Sequence, residues 1–204
     1  MTGSAWLDLG LFSLAAYLAG SVSFGVVLTR LLGRGDLRAQ GSGNAGTLNA
    51  ARVLGKGWAL LVLGLDAGRG ALAAWLALRL LPGPWMPYAG LAGLLAGNLL
   101  PLFHGFRGGK GVATSLGVML GLDWVVGLGG PCVWLALALA TGWGSLGSLG
   151  MALAFPALLL LRGQPAPAVA AGAALAAVLL ATHRANLARM LRGEEPRLFR
   201  RRPA

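Results

Sequence analysis

Long Leu/Ala/Val/Gly runs alternate along this chain with short polar stretches that hold most of its arginines and lysines. Runs of about 18 or more apolar residues are candidates to cross a membrane as helices. Residues 5–29 make the first, with Asp8 near its start and no basic residue before Arg30. Met1 to Leu9 lack the basic n-region of a cleavable signal peptide, so this span is expected to remain in place. Its last turns hold Gly20-Ser21-Val22-Ser23-Phe24-Gly25, small residues that permit close helix packing. A polar loop from Arg30 to Lys56 follows, then a second span over Trp58–Leu80, interrupted by Asp66-Ala67-Gly68-Arg69-Gly70. Pro82-Gly83-Pro84-Trp85 reads as an outer turn, and residues 88–103 return to a loop over His104–Gly111. Residues 112–122 and 124–140 make a short outward span and a longer inward one, bent at Asp123. Thr141–Ser148 is expected as a polar turn, residues 149–161 go out, 162–167 turn, and 168–182 come back to a basic tail over His183–Ala204.

The pattern predicts an all-α integral membrane protein with seven transmembrane helices in a single domain, residues 1–204. Charge sets its expected orientation. Of 17 basic residues only Arg79 and Arg162 fall on the outer side of this arrangement. The excess of Lys and Arg in the other loops places them, and the C-terminus, in the cytoplasm, with the N-terminus outside. Several spans are shorter than about 20 residues, so tilted or partly embedded helices are expected.

Composition narrows the function. Apolar residues make up 56% and charged ones 11%, with a net charge of +11. Basic residues confined to short loops between apolar spans fit an anionic leaflet rather than nucleic acid. Cys132 is the only cysteine, which excludes a disulfide framework and a thiolate metal site. With His104 and His183 the only histidines and six scattered carboxylates, no metal-ligand set is expected. Nothing in the chain calls for an obligate protein partner.

The chemistry-bearing stretch is Gly41–Arg52, GSGNAGTLNAAR. Its three early glycines tolerate backbone angles that turn successive N–H groups into one concavity, an anion nest. Ser42, Asn44, Thr47 and Asn49 add neutral polar groups, and Arg52 adds a planar fork suited to phosphate. An isolated stretch of this kind is usually a flexible connection. A second one, His104-Gly105-Phe106-Arg107-Gly108-Gly109-Lys110-Gly111, lies on the same expected membrane face. Two formal motif matches fail on context. Gly41-x-Gly43-x-x-Gly46 lacks the preceding strand of a dinucleotide fold, and Gly111 stands where a phosphate-binding P-loop needs Ser or Thr. Asp66 and Arg69 share a helix face and either pair with one another or orient a substrate. His183 and Asn186 are three residues apart and would share a side if the last helix continues. No Ser-His-Asp set and no acid pair stands out. Such a face suits two phosphorylated molecules reacting directly. Two dianions about 6 Å apart at an effective dielectric near 20 repel by roughly 11 kcal/mol, which fixed cations and amides must offset.

The motifs resemble the bacterial PlsY family, the acyl-phosphate:glycerol-3-phosphate acyltransferases. The matching stretches are Gly20-Ser21 with Phe24-Gly25, Asp36-Leu37-Arg38, Gly41–Arg52, Asp66 with Gly70, Gly108–Thr114, Ser145 with Ser148, and His183-Arg184-x-Asn186 with Gly193-x-Glu195. The resemblance implies a bacterial inner-membrane enzyme with its active site on the cytoplasmic side. It would move a fatty acyl group from acyl phosphate to the sn-1 hydroxyl of glycerol 3-phosphate, with no cofactor and no metal. It also implies a set of substrate-binding positions: Ser42, Gly43, Asn44, Gly46, Thr47, Asn49 and Arg52, then Asp66 and Arg69, then Gly108, Gly109 and Gly111. Lys110, Ser145, His183 and Asn186 would carry the catalysis. Four positions depart from the family's usual pattern: Leu48 for threonine, Arg69 and Arg107 for lysines, and Asn98 for a histidine. These departures motivate one rival, a paralogue that binds the substrates without turnover. A small-anion transporter is the other, opposed by the lack of repeat symmetry and by the clustering of polar residues on one face.

Overall fold

The computed structural model describes residues 3–198, and among these the chain is helical, with no strand. The helices are α1 (Gly3–Gly20), α2 (Phe24–Leu31), α3 (Thr47–Val53), α4 (Lys56–Leu80), α5 (Met86–Leu99), α6 (Val112–Leu122), α7 (Trp124–Thr141), α8 (Gly144–Leu161), α9 (Ala166–Thr182) and α10 (Arg184–Leu191). Single 3-10 turns lie at Leu37–Ala39 and Leu102–His104. The chain divides into two compact units, Met1–Trp124 and Val125–Ala204.

Among the described residues, five stretches are long and apolar enough to cross a membrane: Gly3–Leu31, Lys56–Leu80, Met86–His104, Trp124–Thr141 and Gly144–Leu161. A sixth arises if α9 and α10, bent by 58°, count as one span. Leu7, Leu11 and Leu14 of α1 are more than half exposed, as expected of side chains that face lipid tails rather than water. The expected seventh span, α6, has only 11 residues. At 1.5 Å per residue it rises about 16 Å, roughly half of a hydrocarbon core.

Three local expectations change. The first span is not continuous: α1 ends at Gly20 and α2 starts at Phe24, because Ser21 and Ser23 turn their polar groups to other parts of the chain. The polar stretch Thr141–Ser148 is a turn only at Gly142–Trp143. From Gly144 on it is helix, where Ser148 donates to the Gly144 carbonyl and accepts from the Trp134 indole. The last helix does not run straight through His183, where α9 stops and α10 sets off at the bend.

Backbone contact holds the first unit together. A Cβ on Gly97 would meet the Tyr17 carbonyl, and one on Gly93 the Ser13 carbonyl, so α1 and α5 pack through their glycines. On the other side Gly117 of α6 lies against Ala67 of α4, and Gly70 lies against the Thr114 carbonyl. These close approaches replace the hydrophobic drive that is lost in lipid. They also fix a level: α6 begins beside the middle of α4, about 15 Å along that helix from Lys56.

Candidate active site

The Gly41–Arg52 stretch is a turn followed by α3, and one side chain organises it. Asn49 is 1% exposed. Its amide donates to the carbonyls of Leu37 (3.0 Å), Gln40 (3.0 Å) and Asn44 (2.8 Å), while its Oδ1 accepts from the Ser42 amide (2.7 Å). The chain can close around it because Gly41 and Gly43 take positive φ, 58° and 73°, which other residues resist. Asn44 Oδ1 accepts from the Gly46 amide at 2.8 Å, which sets the entry into α3. Among the described residues, the amides of Asn44, Ala45, Thr47 and Leu48 donate to no protein acceptor. Thr47 Oγ1 is buried without a partner. Arg52 is exposed at the end of α3 and makes no hydrogen bond or ion pair among the described residues. Amide donors and an uncommitted fork are what an anion requires. Asn49, expected as one of those donors, instead lies beneath them and spends its amide on the loop.

The second glycine-rich turn, Leu100–Gly111, is braced from several sides. The Leu102 amide donates to Ser21 Oγ (3.1 Å), and the Ser23 amide donates to His104 Nε2 (3.2 Å). Arg38 donates to the His104 and Arg107 carbonyls while its other atoms grip Asp36. The Arg38 fork, with Arg30 beside it, holds the Asp36 carboxyl well below the usual carboxylate range. The amides of Gly108 and Gly109 return to the carbonyls of Leu99 and Asn98. Gly111, at φ 84°, then starts α6. A Cβ built on Gly109 lies 3.7 Å from Asn98 Oδ1 and 4.0 Å from both Asn44 Oδ1 and the Gly46 amide nitrogen. The two glycine turns therefore meet, with the Asn98 side chain at their junction and Lys110 next in sequence, half-buried.

Asp66 and Arg69, expected as substrate contacts or as an ion pair, form a pair of 2.7 Å, with side chains about nine-tenths buried. Arg69 also donates to the carbonyls of Ala19 (2.8 Å), Gly20 (3.3 Å) and Val22 (2.6 Å).

Ser145, His183 and Asn186 all belong to the second unit, where a residue given no role by sequence joins two of them. Glu195 Oε1 accepts from Ser145 Oγ (2.7 Å) and Asn186 Nδ2 (2.6 Å), and Oε2 accepts from Arg189 Nε (2.8 Å). Burial alone would push the Glu195 carboxyl up, but these three donors together bring it below its ordinary value. His183 is 2% exposed and its Nδ1 donates to the Leu179 carbonyl at 2.8 Å. That bond leaves Nε2 as the acceptor of the neutral ring. Past Glu195, the Leu198 amide donates to the Gly142 carbonyl and Arg197 lies over the Trp143 ring, so the segment straps back onto the α7–α8 turn. The strap should be pH-sensitive in one direction. Because folding lowers the Glu195 pKa, its stabilisation is complete above about pH 5 and is lost as pH falls through the folded value. Glu195→Gln, which cannot pair with Arg189, should therefore lower the melting temperature at pH 7, and its gap from wild type should narrow as pH falls below the ordinary glutamate range.

Sequence pattern missed the supporting parts played by Arg38, Ser21, Ser23 and Glu195. Asp36-Leu37-Arg38 and Gly193-x-Glu195 stood among the matching stretches, but nothing near Arg38 announces carbonyls 66 and 69 residues away.

Comparison with known proteins supplies the family. Residues 10–193 match the sequence profile of glycerol-3-phosphate acyltransferases. The chain is 45% identical over 192 residues to the glycerol-3-phosphate acyltransferase of Jannaschia sp., covering 94% of each chain. It is 46% identical over 199 residues to that of Rhodospirillum rubrum, covering 94% of this chain and 92% of the relative. The fold matches the crystal structure of PlsY, an integral membrane glycerol 3-phosphate acyltransferase, in its glycerol 3-phosphate form. The TM-score is 0.87 with 36% identity, over 96% of both chains. The lysophosphatidic acid form of the same protein matches with a TM-score of 0.85. A multi-pass membrane protein with this profile, these relatives and this fold belongs to the glycerol-3-phosphate acyltransferase family.

Proposed function

We propose that the chain transfers a fatty acyl group from acyl phosphate to the sn-1 hydroxyl of glycerol 3-phosphate, giving lysophosphatidic acid and phosphate for phospholipid biosynthesis. The observation that carries this reading is the meeting of two glycine turns, one with four uncommitted amides and followed by a short helix that ends in an exposed Arg52. The Ser42–Thr47 turn and Lys110 hold the phosphate of the acyl donor, and Arg52 holds that of glycerol 3-phosphate. The hydroxyl oxygen attacks the acyl carbonyl, the bond from that carbon to the phosphate oxygen breaks, and the hydroxyl proton passes to a phosphate oxygen. A phosphate with a second pKa near 6 can take that proton. The acyl phosphate is already activated, so the protein's work is alignment and stabilisation of the oxyanion and the departing phosphate. Ser145, His183 and Asn186 enter as catalytic candidates through the family resemblance, and Asn49 supports the donor-binding turn from below. The decisive experiment supplies labelled glycerol 3-phosphate and palmitoyl phosphate to the purified chain in liposomes. Labelled lysophosphatidic acid is expected. Uptake of label without product would make the chain a transporter, and binding without product a non-catalytic paralogue.

The reading places both glycine turns and the C-terminal segment in the cytoplasm of a bacterial inner-membrane protein with seven helical passes, α6 being a short one. Ser42, Pro84 and Glu194 are exposed, so cysteines there report accessibility once the exposed Cys132 is changed to Ser. Impermeant thiol reagents on intact cells should label Pro84→Cys and spare Ser42→Cys and Glu194→Cys. Ready labelling of Ser42→Cys would put the site on the other side.

Asn98 stays neutral near pH 7, so it supplies a polar contact at the junction of the turns rather than a proton relay. Asn98→His should accordingly change kcat by less than about tenfold, under roughly 1.4 kcal/mol of barrier. A 100-fold gain with a new pH limb near 6.5 would identify the native chain as catalytically impaired.

A further inference from the structure

We infer that Arg69 is a positioning residue. It clamps the break in the first span and through that break fixes the Leu100–Gly111 turn, without binding substrate; the kinetic part of this inference rests on the acyl transfer proposed above. The geometry is specific. One guanidinium nitrogen donates to the carbonyls of Ala19, Gly20 and Val22, which line the end of α1 and the break before α2. The other donates to Asp66 at 2.7 Å and, at 3.4 Å, to Thr114 Oγ1 in the first turn of α6. The guanidinium carbon also lies 5.1 Å from the centre of the Phe24 ring, the first residue of α2. Nε is buried and has no hydrogen-bond partner. Both terminal nitrogens are thus committed to the protein, and the charge is matched by Asp66.

The contacts beyond Arg69 lead to the turn that carries Lys110. Ser21 and Ser23 sit in the break. Ser21 Oγ accepts from the Leu102 amide while donating to the Tyr17 carbonyl, and the Ser23 amide donates to His104. Leu102 and His104 open the turn, and Thr114 follows its end, so Arg69 reaches both of its flanks. A lysine would keep the charge but not the fork, since a point ammonium cannot face three carbonyls on one side and a carboxylate on the other.

The test compares wild type, Arg69→Lys, Ser21→Ala and the double variant in liposomes. Arg69→Lys should lower kcat at least tenfold with the KM of glycerol 3-phosphate and of palmitoyl phosphate each within threefold. Ser21→Ala should lower kcat with the same constancy of KM, and the loss in the double variant should fall short of the product of the two. A tenfold rise in either KM with kcat retained would make Arg69 a substrate ligand and overturn the clamp, as would wild-type kinetics or strictly multiplicative losses. Hydrogen exchange reads the same contacts without turnover. Peptides covering Leu100–Gly111 should exchange at least threefold faster in Arg69→Lys, and unchanged exchange overturns the inference. A wild type that is inactive with acyl phosphate, while this exchange difference persists, would overturn the proposed activity and leave the clamp standing.

Discussion

Arg52→Ala and Lys110→Ala should each lower kcat/KM for glycerol 3-phosphate acylation at least about 100-fold, the size expected when a charge-assisted phosphate contact that holds the reacting groups in line is removed. Arg52 suits this role because its fork is exposed and engages nothing else among the described residues. Arg52→Lys should stay impaired by about tenfold or more, since a point charge cannot reproduce a two-pronged grip. Lys110 stands between Gly109, which abuts the first turn, and Gly111, whose positive φ redirects the chain into α6. Steady-state kinetics in lipid with both substrates varied is the measurement. Near-normal activity in Lys110→Ala would remove it from the site.

Asn49→Ala should be comparably damaging by a different route. It deletes four hydrogen bonds at a position that is 1% exposed and leaves three carbonyls and the Ser42 amide to find new partners. Each buried group left unsatisfied costs about 1–3 kcal/mol. Even after relaxation the Ser42–Thr47 turn should move by an ångström or more, enough for roughly a 100-fold loss in rate. Asn49→Asp is the sharper test. The carboxylate keeps an acceptor for Ser42 but turns an oxygen toward the Leu37, Gln40 and Asn44 carbonyls, so it should do no better than alanine. A fully active Asn49→Asp would mean that the turn does not depend on this side chain for its shape.

Helix content and the two glycine turns were readable from the sequence because composition and glycine spacing are local signals. Span count was less so. Residues 112–122 are as apolar as any span, and only their length separates α6 from the five longer ones. The break at Ser21–Ser23 was hidden by its apolar flanks, since a serine within a helix can bond back to its own turn, as Ser21 does to Tyr17. Ser145 and Ser148 misled in the opposite sense. They looked like turn residues, yet both lie in α8 with their hydroxyls satisfied by Glu195, Gly144 and Trp134. For Asp66 and Arg69, spacing allowed a pair or a substrate contact. The partners that weigh between them lie about 50 residues away in sequence, where no periodicity reaches.

The interrupted first span also changes how its charges balance. A helix of 18 residues that stops partway along a 29-residue apolar stretch presents the negative end of its macrodipole there, equivalent to about half an elementary charge. The Arg69 guanidinium sits against that end, while the positive start of α2 meets a histidine nitrogen at Ser23 instead of a second cation. The buried charges therefore form a triad of carboxylate, guanidinium and helix terminus rather than a two-membered pair. Loss of Asp66 leaves the cation with a partial counter-charge, whereas loss of Arg69 leaves a carboxylate and a helix end facing each other. Asp66→Asn should consequently accumulate in membranes better than Arg69→Met, an asymmetry that a simple ion pair would not show.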